Sequence, residues 1–155
     1  MQSIHSDFKS ESHKLDIIVL CDALGSPANI GATLRLADAY GVSKVIFLQG
    51  ISELTTRAKS VSRRTQNYVD FKFCSEFKFD DRDWFCLELT TESKPIKEFK
   101  YTSNKIGVII GNENSGVRDV FLNRFPSFHI QMFGRNSSMN VSNALSAVLF
   151  QLTNK

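Results

Sequence analysis

Short runs rich in Val, Ile, Leu and Phe recur along this chain with helical stretches between them, and that alternation limits the fold more than any other feature. Residues 15–21, 44–48, 68–73, 84–89, 105–110 and 128–130 read as six strands. Several are almost continuously apolar, the pattern of strands covered on both faces of a parallel sheet. Between them, residues 29–40 place Ile30, Leu34 and Ala37 on one helical face and stop at Gly41. Further helical segments fall at 52–62, 95–99, 118–123 and 140–152. Strand and helix in alternation predict an α/β domain, a parallel sheet with helices on both faces. At 155 residues there is room for one such domain. We assign it to residues 15–155, with the polar, mixed-charge residues 1–14 as a flexible N-terminal segment.

Composition excludes several classes. Hydrophobic residues make up 42% and charged residues 23%, ordinary for a globular protein. No apolar stretch approaches the roughly 18 residues of a membrane span. The N-terminus has the character of neither a signal nor a transit peptide, so a cytoplasmic location is expected. Cys21, Cys74 and Cys86 are odd in number and form no C-x-x-C pair, and His5, His13 and His129 lack metal-ligand spacing. No metal is expected. The net charge of +3 is mild, but Arg57, Lys59, Arg63 and Arg64 fall within eight positions. Phosphate backbones attract such a cluster, and a solvated helix face would look the same. Neither G-x-G-x-x-G after the first strand nor a P-loop is present.

Ligands of parallel α/β sheets bind beyond the carboxyl ends of the strands, and three loops there have unusual composition. The first, residues 26–35, carries Pro27 and Asn29 at a helix start. Gly31 stands inside the first turn, where glycine costs about 1 kcal/mol relative to alanine, so a close approach to its backbone is expected. Arg35 lies off the apolar face. The second loop reads Gly111-Asn112-Glu113-Asn114-Ser115-Gly116-Val117. The third, residues 130–144, holds Asn136, Ser137, Ser138, Asn140, Ser142 and Asn143 before a helix whose Val141, Leu145, Val148, Leu149 and Leu152 share one face. Ser138 and Asn140 stand where side chains cap a helix. Capping needs one such residue, so the surplus points to a loop that wraps a polar ligand.

Together these loops resemble the three motifs of the SpoU/TrmH class of RNA ribose methyltransferases in the SPOUT superfamily. Asn29, Gly31 and Arg35 match its Asn-x-Gly-x-x-x-Arg element. Gly111, Glu113 and Gly116 match Gly-x-Glu-x-x-Gly. Ile130, Met132 and Gly134, then Ser138-Met139-Asn140-Val141-Ser142, match Ile-Pro-Met-x-Gly and Ser-Leu-Asn-Val-Ser, with Gln131 in place of Pro and Met139 in place of Leu. The match runs from about residue 15 to 152, whereas many members carry an added RNA-binding domain.

The resemblance implies a C-terminal trefoil knot, a homodimer, S-adenosylmethionine as cofactor, and methyl transfer to a ribose 2′-hydroxyl of tRNA or rRNA. It implies that Leu89, Gly111, Ile130 and Met139 hold the cofactor, with Gly111 sparing it a clash with a side chain. Glu113, Ser138 and Asn140 take the polar positions of the site, and Asn29 supports the catalytic Arg35. A guanidinium keeps its proton at ordinary pH, so Arg35 is expected to grip the neighbouring phosphate and steady the forming 2′-oxyanion rather than act as a base. Arg57, Arg63 and Arg64 become expected RNA contacts. The alternative is a catalytically inactive RNA- or cofactor-binding module of the same fold.

Overall fold

A computed structural model of the chain describes residues 11–154. Its strands are β1 (Asp16–Asp22), β2 (Lys44–Leu48), β3 (Phe71–Cys74), β4 (Asp83–Leu87), β5 (Lys94–Pro95), β6 (Lys105–Ile110) and β7 (Ser127–His129). They form a seven-stranded sheet in the order β3-β2-β1-β6-β4-β7-β5. Every pairing is parallel. The helices are α1 (Pro27–Ala39), α2 (Thr56–Ser62), α3 (Asp119–Leu122) and α4 (Val141–Thr153). The expected parallel α/β architecture is what forms.

β1 lies between β2 and β6, with Val19 opposite Val45 on one side and Val108 on the other. All three are fully buried, as continuous apolar runs require. One face packs Val19, Val45, Leu34 and Leu149 beneath α1, α2 and α4. The other face packs Leu20, Ile46, Ile109 and Phe121. There α3 is short, and aromatic rings from the 75–82 loop do most of the covering. Phe79 stands edge-on to Trp84, with centroids 4.9 Å apart, and tilted to Phe125 at 4.8 Å. Gly107 on β6 makes room for the Trp84 indole, which a Cβ would overlap.

Four local readings change. The strand expected at 68–73 begins only at Phe71, because a 3-10 turn (Thr65–Asn67) ends at Tyr68, which is 76% exposed. The one expected at 84–89 ends at Leu87, leaving Leu89 on a loop. The helix expected from residue 52 starts at Thr56, where Thr55 Oγ1 accepts a hydrogen bond from the Ala58 N–H at 3.2 Å. The helix expected at 95–99 is instead the two-residue β5 followed by a 3-10 turn (Ile96–Glu98). Proline is tolerated in β5 because that strand is at the sheet edge and pairs only with β7.

The close approach expected at Gly31 is real, and α2 makes it: a Cβ there would overlap Ala58 O and crowd Val61. Residues 1–10 of the expected N-terminal segment lie outside the described residues. Within residues 11–14, His13 Nε2 lies 2.7 Å from Tyr40 O.

Candidate active site

The carboxyl ends of β4, β6 and β7 open onto a cleft of about 330 Å³. Its apolar wall includes Leu89, Ile130 and Met139, and its polar side includes Gly111, Glu113, Ser138 and Asn140. Residues from the second and third loops therefore share one cavity, and a chain of hydrogen bonds joins them to the first.

Glu113 is where the first two loops meet. Its Oε1 accepts from Ser26 N–H at 2.8 Å and Asn29 Nδ2 at 3.1 Å, and its Oε2 from Gly25 N–H at 3.1 Å. Burial raises its pKa, but hydrogen bonds from its own backbone, from Asn29 and from the Ser26 and Gly25 N–H groups outweigh burial. They hold the carboxylate below its ordinary range, so it is ionised at neutral pH.

Asn29 has spent its amide on Glu113 and offers its Oδ1 to the third loop. Asn140 Nδ2 donates to that oxygen at 3.2 Å, and Ser142 Oγ donates to Asn140 Oδ1 at 2.6 Å. Asn140 in turn caps α4: its Oδ1 accepts from the Ser142 N–H at 2.9 Å and the Asn143 N–H at 3.4 Å. A relay Glu113–Asn29–Asn140–Ser142 thus ties together segments more than eighty residues apart.

The other expected residues take varied places. Arg35 is exposed on α1, one turn beyond Gly31, and makes no hydrogen bond or ion pair with another described residue. Ser138 is exposed and does not cap α4; its N–H donates to Asn136 Oδ1 at 3.0 Å, and Asn140 alone serves as the cap. Leu89 is 47% exposed and Met139 40% exposed, both at the cleft. Gly111 is required by its own loop, since a Cβ would overlap the backbone of Gly116 and Val117. That is a different reason from the one the motif suggests. Arg57, Arg63 and Arg64 are exposed on and after α2, outside the cleft. Arg63 and Arg64 both adopt left-handed backbone, at φ 51° and 70°.

Sequence reasoning missed a charged brace beneath the second loop. Asp22, fully buried at the end of β1, pairs with Arg118, whose Nε lies 2.7 Å from Oδ1 and whose N–H lies 3.0 Å from Oδ2. Arg118 also donates to Gln49 Oε1 at 2.8 Å. Glu88 was missed too. Its Oε2 accepts from the Val117 N–H and its Oε1 from the Leu89 N–H, each at 3.0 Å. The available signal was a carboxylate at the carboxyl end of a buried apolar run, as the last residue of β1 at Asp22 and just after β4 at Glu88. Cys86 is buried, and burial followed by the charges of Asp22 and Glu88 pushes its thiol up to about 12. It is no nucleophile. Among the described residues no group of three or more His, Cys, Asp or Glu could hold a metal ion, and no helix is long and apolar enough to cross a membrane.

Known proteins with this pattern are informative. The family model described as SpoU rRNA Methylase matches residues 16–150. The 23S rRNA (guanosine(2553)-2′-O)-methyltransferase RlmP of Bacillus subtilis is 26% identical over 148 residues, covering 87% of this chain and 57% of RlmP. The chain thus spans about three-fifths of that relative's length. Among solved structures, the SpoU methyltransferase AviRb from Streptomyces viridochromogenes, in complex with the cofactor AdoMet, superposes with a TM-score of 0.79 at 18% identity, over 93% of this chain and 61% of AviRb. A structure described as giving insight into 2-OH methylation of C/U34 on tRNA superposes with a TM-score of 0.78 at 20% identity, over 92% of this chain and 100% of the other.

Proposed function

Because the chain belongs to the SpoU rRNA methylase family, we propose that it transfers the methyl group of S-adenosylmethionine to a ribose 2′-hydroxyl of tRNA or rRNA. The observation that carries this reading is the relay through Asn29, which joins the first family motif to the second and third, both of which line one cleft. The residues present suit the cofactor. A volume of about 330 Å³ lies within the range of small-molecule sites. Leu89, Ile130 and Met139 offer apolar surface to a purine, and the ionised Glu113 offers negative charge near a cationic sulfonium. When bound, S-adenosylmethionine supplies an electrophilic methyl group on that sulfonium.

The work left to the protein is orientation and charge. Backbone groups of Leu89, Ile130 and Met139 are proposed to fix the nucleoside, with Gly111, Ser138 and Asn140 at the polar side. Glu113 and Asn29 hold the first loop, and with it α1, in register with the third. Arg35, unpaired with any described residue and free to meet an incoming anion, grips the phosphate beside the target ribose and stabilises charge developing on the 2′-oxygen. Its planar fork suits a phosphate bidentately. Arg35→Lys, which keeps charge but loses the fork, is expected to lower turnover with little change in RNA affinity.

Arg57, Arg63 and Arg64 are proposed to track the RNA backbone. α2 packs on α1 at Gly31, one helical turn before Arg35, which supports one basic flank serving both. We further propose a homodimer of cytoplasmic location, with the exposed Phe150 on α4 as apolar surface for a second copy, and a knotted course for the segment leading into α4. Tritium transfer from labelled S-adenosylmethionine into RNA tests the function. Label recovered in alkali-resistant dinucleotides is the expected result, because a methylated 2′-oxygen cannot attack its phosphate. Binding without transfer would mean the inactive module instead.

A further inference from the structure

A histidine in the cleft has one nitrogen to spare. His129 closes β7 and lines the cleft together with Leu89 and Ile130. Its Nδ1 lies 2.8 Å from Ser93 Oγ. The same Oγ lies 2.9 Å from Thr90 O and accepts from the Thr90 N–H at 3.0 Å. A serine hydroxyl has one hydrogen and two lone pairs. Only one arrangement puts a hydrogen into each of these three contacts: Ser93 donates to Thr90 O and accepts from Thr90 N–H and from His129 Nδ1–H. The opposite tautomer would turn the hydroxyl toward the ring and leave two oxygens 2.9 Å apart with no hydrogen between them.

Neutral His129 therefore carries its proton on Nδ1, and Nε2 presents a lone pair. Among the described residues nothing donates to that nitrogen, and no buried side-chain nitrogen or oxygen lacks a partner, so Nε2 is open to solvent. His13 shows the mirror arrangement. Its Nδ1 accepts from the Leu15 N–H at 3.1 Å, which leaves Nε2–H to donate to Tyr40 O at 2.7 Å.

We propose that His129 Nε2 accepts an N–H or O–H from the nucleoside part of S-adenosylmethionine, and that the Ser93–Thr90 turn serves to set this tautomer. The proposal rests on the reading that the cleft takes this cofactor. The neighbourhood favours the nucleoside over the amino-acid end: Leu89 and Ile130 give apolar surface for a purine, whereas an ammonium group is drawn to carboxylates such as Glu113. Loss of the acceptor leaves a buried ligand donor without a partner, which is expected to weaken binding about tenfold.

Two measurements on the whole chain test this. Imidazole 15N NMR at pH 8, with the signals of His129 identified by their loss in His129→Asn, should show hydrogen on Nδ1 and none on Nε2, and the reverse for His13. The Nε2–H tautomer at His129 would overturn the proposal. Calorimetry then follows S-adenosylhomocysteine. His129→Asn keeps a donor near the Nδ1 position and removes the Nε2 acceptor, so binding should fall about tenfold. His129→Gln places an amide oxygen near Nε2 and should bind within about threefold of the parent. The same pattern is expected with 5′-methylthioadenosine, which lacks the amino-acid end. Unchanged affinity in His129→Asn, or a loss that disappears with 5′-methylthioadenosine, would overturn the proposal alone. A parent chain that binds neither compound would overturn the cofactor reading as well.

Discussion

The two ends of the sheet are built from similar residue types and put them to opposite uses. At the amino-terminal end Arg82 is buried, 8% exposed, and four of its five N–H donors are engaged. Its Nε and Nη2 each meet an Asp80 oxygen at 2.8 Å, and Nη1 reaches Asp16 O at 3.1 Å and Ile106 O at 3.3 Å. Trp84 Nε1 adds a donor to the same Asp80 carboxylate at 3.2 Å. At the carboxyl end the relay from Glu113 to Asn140 borders an open cleft, and Arg35, on the helix that the relay anchors, is exposed and bonded to no described residue. A guanidinium bonded to a carboxylate and two strand carbonyls clamps strands together. One with all donors free waits for a ligand.

Arg35→Ala should break that symmetry most sharply. Turnover on RNA is expected to fall about 10²–10³-fold, the cost of removing one preorganised donor to a developing oxyanion. Urea unfolding should move by no more than about 0.5 kcal/mol, as for a surface substitution. Arg82→Ala should do the reverse. The Asp80 carboxylate and two strand carbonyls lose their partner, so about 3 kcal/mol of stability is expected to go, with cofactor affinity per folded molecule retained.

Acid should expose both ends through different carboxylates. The hydrogen bond from Arg82 is the main cause holding Asp80 below its ordinary range. At Glu113 burial pushes upward, but the hydrogen bonds from its own backbone, Asn29, Ser26 and Gly25 prevail. A carboxylate whose folded pKa is depressed contributes stability in full above its unfolded value, about 4, and loses it as pH falls through the folded value. Stability measured from pH 6 to pH 3 should therefore decline less steeply in Asp80→Asn and in Glu113→Gln than in the parent. Only Glu113→Gln should also weaken S-adenosylhomocysteine binding. The smallest effect belongs to Phe133→Ala in the third loop: the ring is 93% exposed, so unfolding should shift by less than about 0.5 kcal/mol.

Much of the fold could be read along the chain because it is encoded locally. Continuous apolar runs gave the central strands, and Val141, Leu145, Val148 and Leu149 gave α4 at helical spacing. β5 escaped because two residues carry no period. The site was legible as three loops of excess polarity, but not as a network. Nothing local says that Asn29 Oδ1 meets Asn140 across 111 positions, or that Asp22 anchors Arg118 across 96. Gly111 shows the converse, a motif position with a physical reason inside its own loop, where a Cβ would overlap Gly116 and Val117.

Backbone 15N NMR during titration with S-adenosylhomocysteine tests most directly whether the carboxyl end is the working end. The expected result is saturable, one-to-one binding, with shifts concentrated at Leu89, Gly111, Ile130 and Met139 and none at Arg82 or Trp84. Perturbations centred on residues 80–84, or no perturbation of a folded chain, would contradict it.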